Sequence, residues 1–402
     1  MAVDRTQSEF GPLVRQLPDI QASLREQGLD GWLLYDMRAR NSVAGQLLGL
    51  GDMSRRYFVL VPKEGEPVAL THGIEQGPWS KWQWPKRKYV SWQELEAALR
   101  TLLQGARRVA MEVSEHDAVP VTDLVPHGVV ELVRSTGVEV VSSADLITRY
   151  YSRWSEADEA SHRRAAVACA QVANAAFQWL GQQIAGGATV TEGDLHDWVV
   201  RDLQARGVPH EADCIAATGV NAADPHYGPA GAGATFRKGD VVLLDLWARE
   251  NENAIYADQT WMAYLGSAVP EREAQLFATV RDARDAAVKV LLEGWGAGRP
   301  VRGGELDDAA RGVIRDAGYG EFFIHRTGHS IDQSLHGSGP NIDNLETRET
   351  RLLLPGIGFS IEPGIYLAND IGLRTEINVY ITEKGPDVTT PGPQDRMTAL
   401  LP

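Results

Sequence analysis

Two apolar runs joined by a short polar segment, each run with one aspartate inside it, constrain the fold of this chain more than any other stretch. The runs are residues 241–248 and 254–263, and Glu-Asn-Glu-Asn at 250–253 joins them. Apolar runs around a short polar connection predict a β-hairpin. If the turn is centred in the middle of the polar segment, Asp245 and Asp258 lie directly opposite each other on one face of the hairpin.

Two carboxylates this close in apolar surroundings repel each other, and the burial of an unpaired charge is costly. Either one of the two aspartates is protonated or a cation binds both. An alternative is that the turn is centred elsewhere and one aspartate points to solvent, which leaves no site in the hairpin. The rest of the sequence is needed to decide between these possibilities.

Composition excludes several classes of protein. The chain has 402 residues and a formal net charge of −15, which argues against binding a nucleic-acid backbone. The only two cysteines, Cys169 and Cys214, provide no disulfide framework. The N-terminal sequence has no apolar segment typical of a signal peptide, and no apolar run approaches the ~18 residues of a membrane span. We therefore expect a cytoplasmic protein without a membrane or nucleic-acid partner.

Residues 1–152 alternate between helical and strand-like patterns, which predicts an α/β domain. The strand-like segments are 31–35, 57–61, 67–70, 109–113 and 138–141, and the helical ones are 19–27 and 92–103. Segment 79–92, WSKWQWPKRKYVSW, has four tryptophans around a basic centre. Ordinary packing is one interpretation, and a lid or subunit contact is another. Single-stranded nucleic acid is a third, which the acidic chain disfavours.

Residues 153–402 repeat one order of elements. Ser155 with Asp158, and Thr191 with Asp194, form capping-box patterns before two helices. The helical patterns cover 159–184, 195–205, 271–293 and 305–317, and strand-like patterns follow each pair of helices. The glycine-rich segment GAGATFRKG lacks the residues of a phosphate-binding loop. Residues 155–263 and 271–381 thus have a common order, which indicates two similar halves.

The second half contains the complement to the two aspartates. Segment FFIHRTGHSIDQSLH holds three histidines, His325, His329 and His336, without the HExxH pattern of a helical zinc site. Residues 358–382 then predict a second hairpin. If its turn is centred at Asn369, Glu362 and Glu376 face each other.

Two acid pairs with histidines between them indicate one metal site at the junction of the halves. Four carboxylates and an imidazole suit divalent cations, and four negative charges match two such ions. Two metals roughly 3.5–4 Å apart lower the pKa of a bridging water and hold both oxygens of a hydrolytic intermediate. His226, His325 and His336 could stabilise an oxyanion or a leaving group.

The phrases YADQT, TGHS, IEPGIY and RTE around these residues resemble those of the pita-bread metallopeptidases. That family includes methionine aminopeptidase, aminopeptidase P, prolidase and the metal-free creatinase. The resemblance covers residues 155–385, and the N-terminal domain is similar to that of the creatinase, prolidase and aminopeptidase P branch. It implies an α/β N-terminal domain at 1–152 and an α+β pita-bread catalytic domain at 153–402.

The resemblance also implies a role for each site residue. The five metal ligands for two divalent ions (Mn, Zn or Co) would be Asp245, Asp258, His329, Glu362 and Glu376. By the family pattern, Asp258 and Glu376 bridge the two metals, and Glu362 is also the proton shuttle. His226 and His336 would be catalytic, with His226 near the scissile bond. His325 and Arg374 would bind the proline end of the substrate.

The activity implied is that of an Xaa-Pro dipeptidase, in which a bridging hydroxide attacks the bond before proline in a short peptide. The closest alternative is aminopeptidase P, which accepts longer peptides. A peptidase-like binding module and a creatinase-like hydrolase are disfavoured, because both usually lack ligands that this chain retains. The family is usually dimeric, so we expect a homodimer in which segment 79–92 contacts the partner's site.

The chain departs from the family pattern at several positions. Ser330 and Asp332 stand where glycines are common after the ligand histidine, and Gly337 stands where glutamate often follows the later histidine. Trp261 replaces an arginine after the second aspartate. The first hairpin is two residues longer than usual, and an even insertion keeps the same side chains on one face. These departures leave the subclass open.

Overall fold

The computed structural model describes residues 10–228 and 231–402. The chain divides into two compact units, Met1–Arg153 and Trp154–Pro402. In the described part of the chain, no helix is both long enough and apolar enough to cross a bilayer.

The first unit is built on a six-stranded mixed sheet in the order β4-β3-β2-β1-β5-β6. Its strands are β1 Gly31–Asp36, β2 Tyr57–Pro62, β3 Val68–His72, β4 Lys86–Tyr89, β5 Arg108–Met111 and β6 Glu139–Ser142. Its helices are α1 Gly11–Glu26, α2 Ser42–Leu48, α3 Trp92–Leu102, α4 His127–Arg134 and α5 Ala144–Tyr150. The predicted alternation is confirmed, but β4 was missed because its residues, KRKY, have no apolar alternation.

The tryptophans of segment 79–92 have different environments. Trp79 is fully buried and Trp82 is 8% exposed, and both rings pack against Phe10. Trp92 begins α3 and is 62% exposed. Ordinary packing therefore accounts for Trp79 and Trp82, whereas Trp92 is at the surface.

The second unit repeats helix, helix and strands, as predicted. The first half is α6 Glu156–Ala185, α7 Glu192–Ala205, β7 His210–Thr218, β8 Val241–Arg249 and β9 Ala257–Tyr264. The second half is α8 Glu271–Gly296, α9 Gly303–Asp316, β10 Ser330–Ile331, β11 Gly358–Ile361, β12 Gly364–Leu367, β13 Ile371–Arg374 and β14 Ile377–Thr382, followed by β15 Gly385–Val388 and β16 Thr398–Ala399. Both predicted capping boxes, at Ser155 and Thr191, are present.

The two faces of β8 have different partners. Leu244 and Leu246 pack in a cluster with the alanine-rich face of α6. Val241 and Leu243, on the other face, pack with strands β11 to β14 of the second half. Asp245 lies on this second face, because alternate residues of a strand share a face. The sequence of β8 therefore directs its acid toward the second half.

The register of the first hairpin differs from the prediction by two residues. Asp245 pairs with Thr260, and Asp258 pairs with Trp247, so the two aspartates are not directly opposite. The connection extends to Tyr256, which with Ile255 is buried in a cluster around Trp154 instead of pairing in the sheet. Because the shift is even, both aspartates still share one face.

The register of the second hairpin is confirmed. Pairs Ile361–Ile377 and Gly364–Arg374 flank the two glutamates and have the same register. Glu362 and Glu376 therefore lie opposite each other, at the break between β11–β14 and β12–β13. Asn369 forms the turn with a φ of 61°, a left-handed conformation that asparagine tolerates better than most residues.

Candidate metal centre

Hydrogen bonds between β9 and the end of the second hairpin bring the two halves together. The side-chain amide of Asn378 exchanges two hydrogen bonds with the backbone of Asp258, at 3.0 and 2.6 Å. The backbone N–H of Glu376 donates to the carbonyl of Thr260 at 3.2 Å. The Thr260 hydroxyl also donates to Glu376 Oε2 at 3.0 Å. The ligand residues of the two halves thus meet across this seam.

Four of the five residues predicted as ligands are linked by short distances. Asp258, His329 and Glu376 are buried and offer oxygen and nitrogen atoms that all lie within 4.8 Å of one another. His329 Nε2 is 3.4 Å from Asp258 Oδ2 and 3.4 Å from Glu362 Oε1. The fifth, Asp245, pairs across the strands with Thr260, whose hydroxyl contacts Glu376.

Three carboxylate oxygens in this cluster have no protein donor. Asp245 Oδ1, Asp258 Oδ1 and Glu376 Oε1 are buried and lack a hydrogen-bond partner among the described residues. A buried carboxylate oxygen without a partner is destabilising, whereas a cation would satisfy it. Burial and mutual repulsion raise the pKa of both Asp258 and Glu376 when no cation is present. The residues therefore fit a divalent metal centre.

The ring of His329 is oriented as a ligand would be. Its Nδ1 lies 3.1 Å from the carbonyl oxygen of Ser330. A carbonyl only accepts hydrogen bonds, so Nδ1 carries a proton, and Nε2, which faces the acids, is the nitrogen that could bind a cation. The Ser360 hydroxyl accepts from the backbone N–H of His329 at 2.9 Å and donates to Glu362 Oε1 at 3.1 Å.

Arg374 connects the acids to the residues predicted at the proline end of the substrate. Its guanidinium is buried and donates to Asp245 Oδ2 at 2.5 Å, to the Thr260 hydroxyl at 3.1 Å and to the Tyr366 hydroxyl at 3.0 Å. The Tyr366 hydroxyl is also 2.8 Å from His325 Nε2. Tyr366 is a residue that the sequence reasoning did not single out, although it ends the phrase IEPGIY.

His325 and His336 are both neutral near pH 7. Burial, with a contribution from Arg374, lowers the pKa of His325 to about 3. Burial also lowers the pKa of His336 to about 4, and its ring lies 4.4 Å from that of His329. Neutral imidazoles can donate one hydrogen bond and accept another beside a reacting carbonyl.

The loop that carries His226 is held by Glu192, another residue that the sequence reasoning missed. Glu192 is fully buried and accepts hydrogen bonds from the Tyr227 hydroxyl and the Ala234 N–H, both at 2.6 Å. It also accepts from the Thr218 N–H at 2.9 Å. His226 itself is exposed and lines a cavity. Its position directly before Tyr227, which Glu192 holds, limits where its ring can lie.

The departures from the family pattern at 330, 332 and 337 form one arrangement. The Asp332 carboxylate accepts from the N–H groups of Ser334 and Ser338, at 2.6 and 3.0 Å. A Cβ on Gly337 would lie 2.8 Å from Asp332 Oδ2 and 2.9 Å from the Ser330 hydroxyl. The carboxylate of Asp332 thus occupies the space beside position 337, and the glycine makes room for it. Asp332 thereby braces the segment that carries His336.

A cavity of 750 Å³ lies beside β7 and α7. It is lined by Asp194, His196, Asp213, Ile215, His226 and Trp247, among others. Of the residues predicted for the site, only His226 lies on its wall. The remaining lining residues were not anticipated from the sequence.

Comparison with known proteins places the chain in a family. The model of Metallopeptidase family M24 matches residues 160–383. The chain is 34% identical over 181 residues to an Xaa-Pro dipeptidase of Lactobacillus helveticus, covering 45% of this chain and 45% of that one. It is 30% identical over 282 residues to a probable dipeptidase PepE of Mycobacterium bovis, covering 70% of this chain and 68% of the relative.

The crystal structure of dipeptidase PepE from Mycobacterium ulcerans has a TM-score of 0.69 to this structure at 24% identity, and the superposition covers 98% of this chain and 100% of that one. The likeness shows a shared fold. The predicted fold class, an α/β N-terminal domain with a pita-bread catalytic domain, is therefore confirmed.

Proposed function

The chain belongs to metallopeptidase family M24, and on that basis we propose that it is an Xaa-Pro dipeptidase, which hydrolyses the bond before proline in short peptides. The observation that carries the proposal is the group of three unpartnered buried carboxylate oxygens on Asp245, Asp258 and Glu376. The Xaa-Pro dipeptidase among the relatives supports the choice of substrate.

Two divalent cations would be held by the five acidic and imidazole side chains, Asp245, Asp258, His329, Glu362 and Glu376. When bound, such ions lower the pKa of water and polarise the scissile carbonyl. Mn²⁺, Co²⁺ and Zn²⁺ all accept this mixture of oxygen and nitrogen donors.

The chain's own residues move the protons. Glu362 is suited to this role, because its side chain is 15% exposed whereas that of Asp258 is 7% exposed. It takes a proton from the attacking water and passes it to the proline nitrogen as the peptide bond breaks. His226 and His336 donate N–H groups to the carbonyl oxygen as negative charge develops there.

The proline end of the substrate lies beside His325 and Arg374 in this proposal. A dipeptide ends in a carboxylate at its proline, and a buried guanidinium attracts that charge. Because Arg374 already donates to Asp245 and Tyr366, it serves both the metal centre and this end of the site.

A chelation and two-substrate experiment tests the proposal. Protein treated with a chelator should lose activity on an Xaa-Pro dipeptide and recover it with Mn²⁺, Co²⁺ or Zn²⁺. Hydrolysis of Ala-Pro should exceed hydrolysis of the first bond of Ala-Pro-Ala. Faster cleavage of the tripeptide would instead assign an aminopeptidase, and full activity in rigorously metal-free protein would refute the metal-dependent mechanism.

A further inference from the structure

The cavity and the metal centre share one face of the sheet. Asp213 pairs with Trp247, and Ile215 pairs with Asp245, across β7 and β8. Trp247 also pairs with Asp258 across β8 and β9. Directly paired residues of an antiparallel sheet present their side chains on the same side. The lining residues Ile215 and Trp247 are therefore the immediate neighbours of the proposed ligands Asp245 and Asp258.

This adjacency decides which part of a substrate the cavity can receive. The scissile carbonyl must lie at Asp245 and Asp258, whose unpartnered oxygens mark the metal centre. The side chain of a residue flanking that bond then extends over Ile215 and Trp247 into the cavity. At 750 Å³ the cavity has room for a long side chain.

The charge of the cavity indicates whether it receives the residue on the N-terminal or on the C-terminal side of the scissile bond. The lining residues include three aspartates, Asp194, Asp197 and Asp213, and no lysine or arginine is found among the described residues that line the cavity. Two histidines also line the cavity, His196 and His226, and together they cancel two of the three negative charges at most. A negative cavity repels the carboxylate of a C-terminal proline. It attracts the residue on the N-terminal side of the scissile bond.

Asp213 is the lining acid whose carboxylate is best oriented to bind a positively charged side chain. Its Oδ1 accepts from His196 Nε2 at 2.7 Å and from the Cys214 N–H at 2.8 Å. His196 is held in turn by Asp197, at 3.1 Å from Nδ1. Both bonds use the same oxygen, so Oδ2 is oriented and available to a ligand. Asp194 also uses a single oxygen, Oδ2, for both hydrogen bonds from Thr191, but it lies on α7. Asp213 lies directly opposite Trp247, the neighbour of the proposed ligand Asp258.

The other walls suit the rest of a basic side chain. Ile215, Tyr227 and Trp247 provide apolar and aromatic surface along the path from the metal centre. Lysine and arginine place their methylene stems along such surface and extend the charged group to a polar end. An aromatic ring on the path also attracts the cation itself.

We propose that this cavity binds the side chain of the residue before the scissile bond and that Asp213 makes the enzyme prefer lysine or arginine there. The proposal rests on the proposed dipeptidase function and adds the substrate class. His196 acts as a positioning residue, since it acts through the Asp213 carboxylate.

Dipeptide kinetics test this preference directly. The probes are Lys-Pro and norleucine-Pro, which differ by the ammonium group at the end of the side chain. Lys-Ala and norleucine-Ala provide the same comparison without proline. We expect the wild-type kcat/KM to favour the lysine substrate by about tenfold, the size of a charged hydrogen bond in a partly exposed site. Asp213→Asn should bring the ratio close to one, because it should lower kcat/KM for the lysine substrate much more than for the norleucine substrate. Added salt should reduce the wild-type ratio.

A matched control is Asp202→Asn, which removes an acid of α7 that pairs with Arg206 and does not line the cavity. It should keep the wild-type ratio. A wild-type ratio near one, or an equal loss on both substrates in Asp213→Asn, would overturn the cavity assignment. Cleavage of Lys-Ala and norleucine-Ala without cleavage of the two proline dipeptides would refute the proline specificity. The ratio of kcat/KM for Lys-Ala to that for norleucine-Ala would then test the cavity assignment. Cleavage of no dipeptide would count against both.

Discussion

Arg374 Nη2 lies 2.5 Å from Asp245 Oδ2, and both side chains are buried. The other Asp245 oxygen has no protein partner among the described residues. One oxygen of the Asp245 carboxylate thus accepts a hydrogen bond from Arg374, and the other could bind a cation. Arg374 orients the acid and balances part of the negative charge of the cluster.

The first prediction concerns Arg374→Lys. An ammonium cannot reach Asp245, Thr260 and Tyr366 at the same time as a planar guanidinium does. Loss of such a support to a ligand typically lowers metal affinity by about 10–100-fold, and competition with a fluorescent chelator measures this.

The control is Arg272→Lys, which alters an exposed arginine paired with Asp370 at the tip of the second hairpin. It should leave metal affinity unchanged. Equal metal affinity in Arg374→Lys and the wild type would contradict the support assigned to Arg374.

The second prediction concerns the coupling of Gly337 with Asp332. Gly337→Ala places a Cβ 2.8 Å from Asp332 Oδ2, and such overpacking costs about 1–3 kcal/mol. Asp332→Gly in the same chain should remove the part of that cost that comes from the carboxylate and leave the contact with the Ser330 hydroxyl. The two changes should therefore not be additive in a double-mutant cycle of unfolding free energies. Gly296→Ala serves as the control, because a Cβ at that position meets no atom within 4 Å. Additive effects at 332 and 337 would contradict the coupling.

The third prediction concerns the pH dependence of stability. His162 is fully buried, with Nδ1 2.6 Å from the Tyr256 carbonyl and Nε2 2.7 Å from the Thr389 hydroxyl. Burial lowers its pKa from 6.5 to about 4. The unfolded chain binds a proton in this range and the folded chain does not. Stability contributed by neutral His162 is therefore lost as the pH falls from 6.5 to 4, by on the order of 3 kcal/mol.

Denaturant unfolding of wild type and His162→Asn between pH 4 and 7.5 measures that loss. The variant is less stable at pH 7, because the imidazole contacts are gone, but its stability should fall less on acidification. His127→Asn, at a residue whose side chain is 82% exposed, should keep the wild-type slope. Parallel curves for the wild type and His162→Asn would contradict the prediction.

The sequence predicted the second hairpin better than the first for a physical reason. The connection between β12 and β13 is short, and Asn369 accepts the left-handed conformation that the turn requires. Pairing on both sides therefore follows from the turn alone. In the first hairpin, Ile255 and Tyr256 are apolar but pack in a separate cluster. Hydrophobic pattern does not distinguish such residues from a strand, so the register was displaced by two.

The acidic cavity was missed because tertiary packing assembles it. His196 and Asp213 are 17 positions apart, on a helix and on a strand, and no motif joins them. One signal was available. Alternation along β7 places Asp213 and Ile215 on one face, and pairing with β8 then aligns them with Trp247 and Asp245. That alignment needs the register of β7, which a single sequence does not give.

Calorimetric titration of metal-free protein with Mn²⁺ tests the central claim most directly. We expect saturable binding of two ions per chain, and loss of that binding in Asp258→Asn and Glu376→Gln, because each substitution removes a carboxylate oxygen of the cluster. Release of protons on binding should accompany it, since burial raises the pKa of both acids. Folded protein that shows no saturable Mn²⁺ binding, or binding that both variants retain in full, would contradict the account.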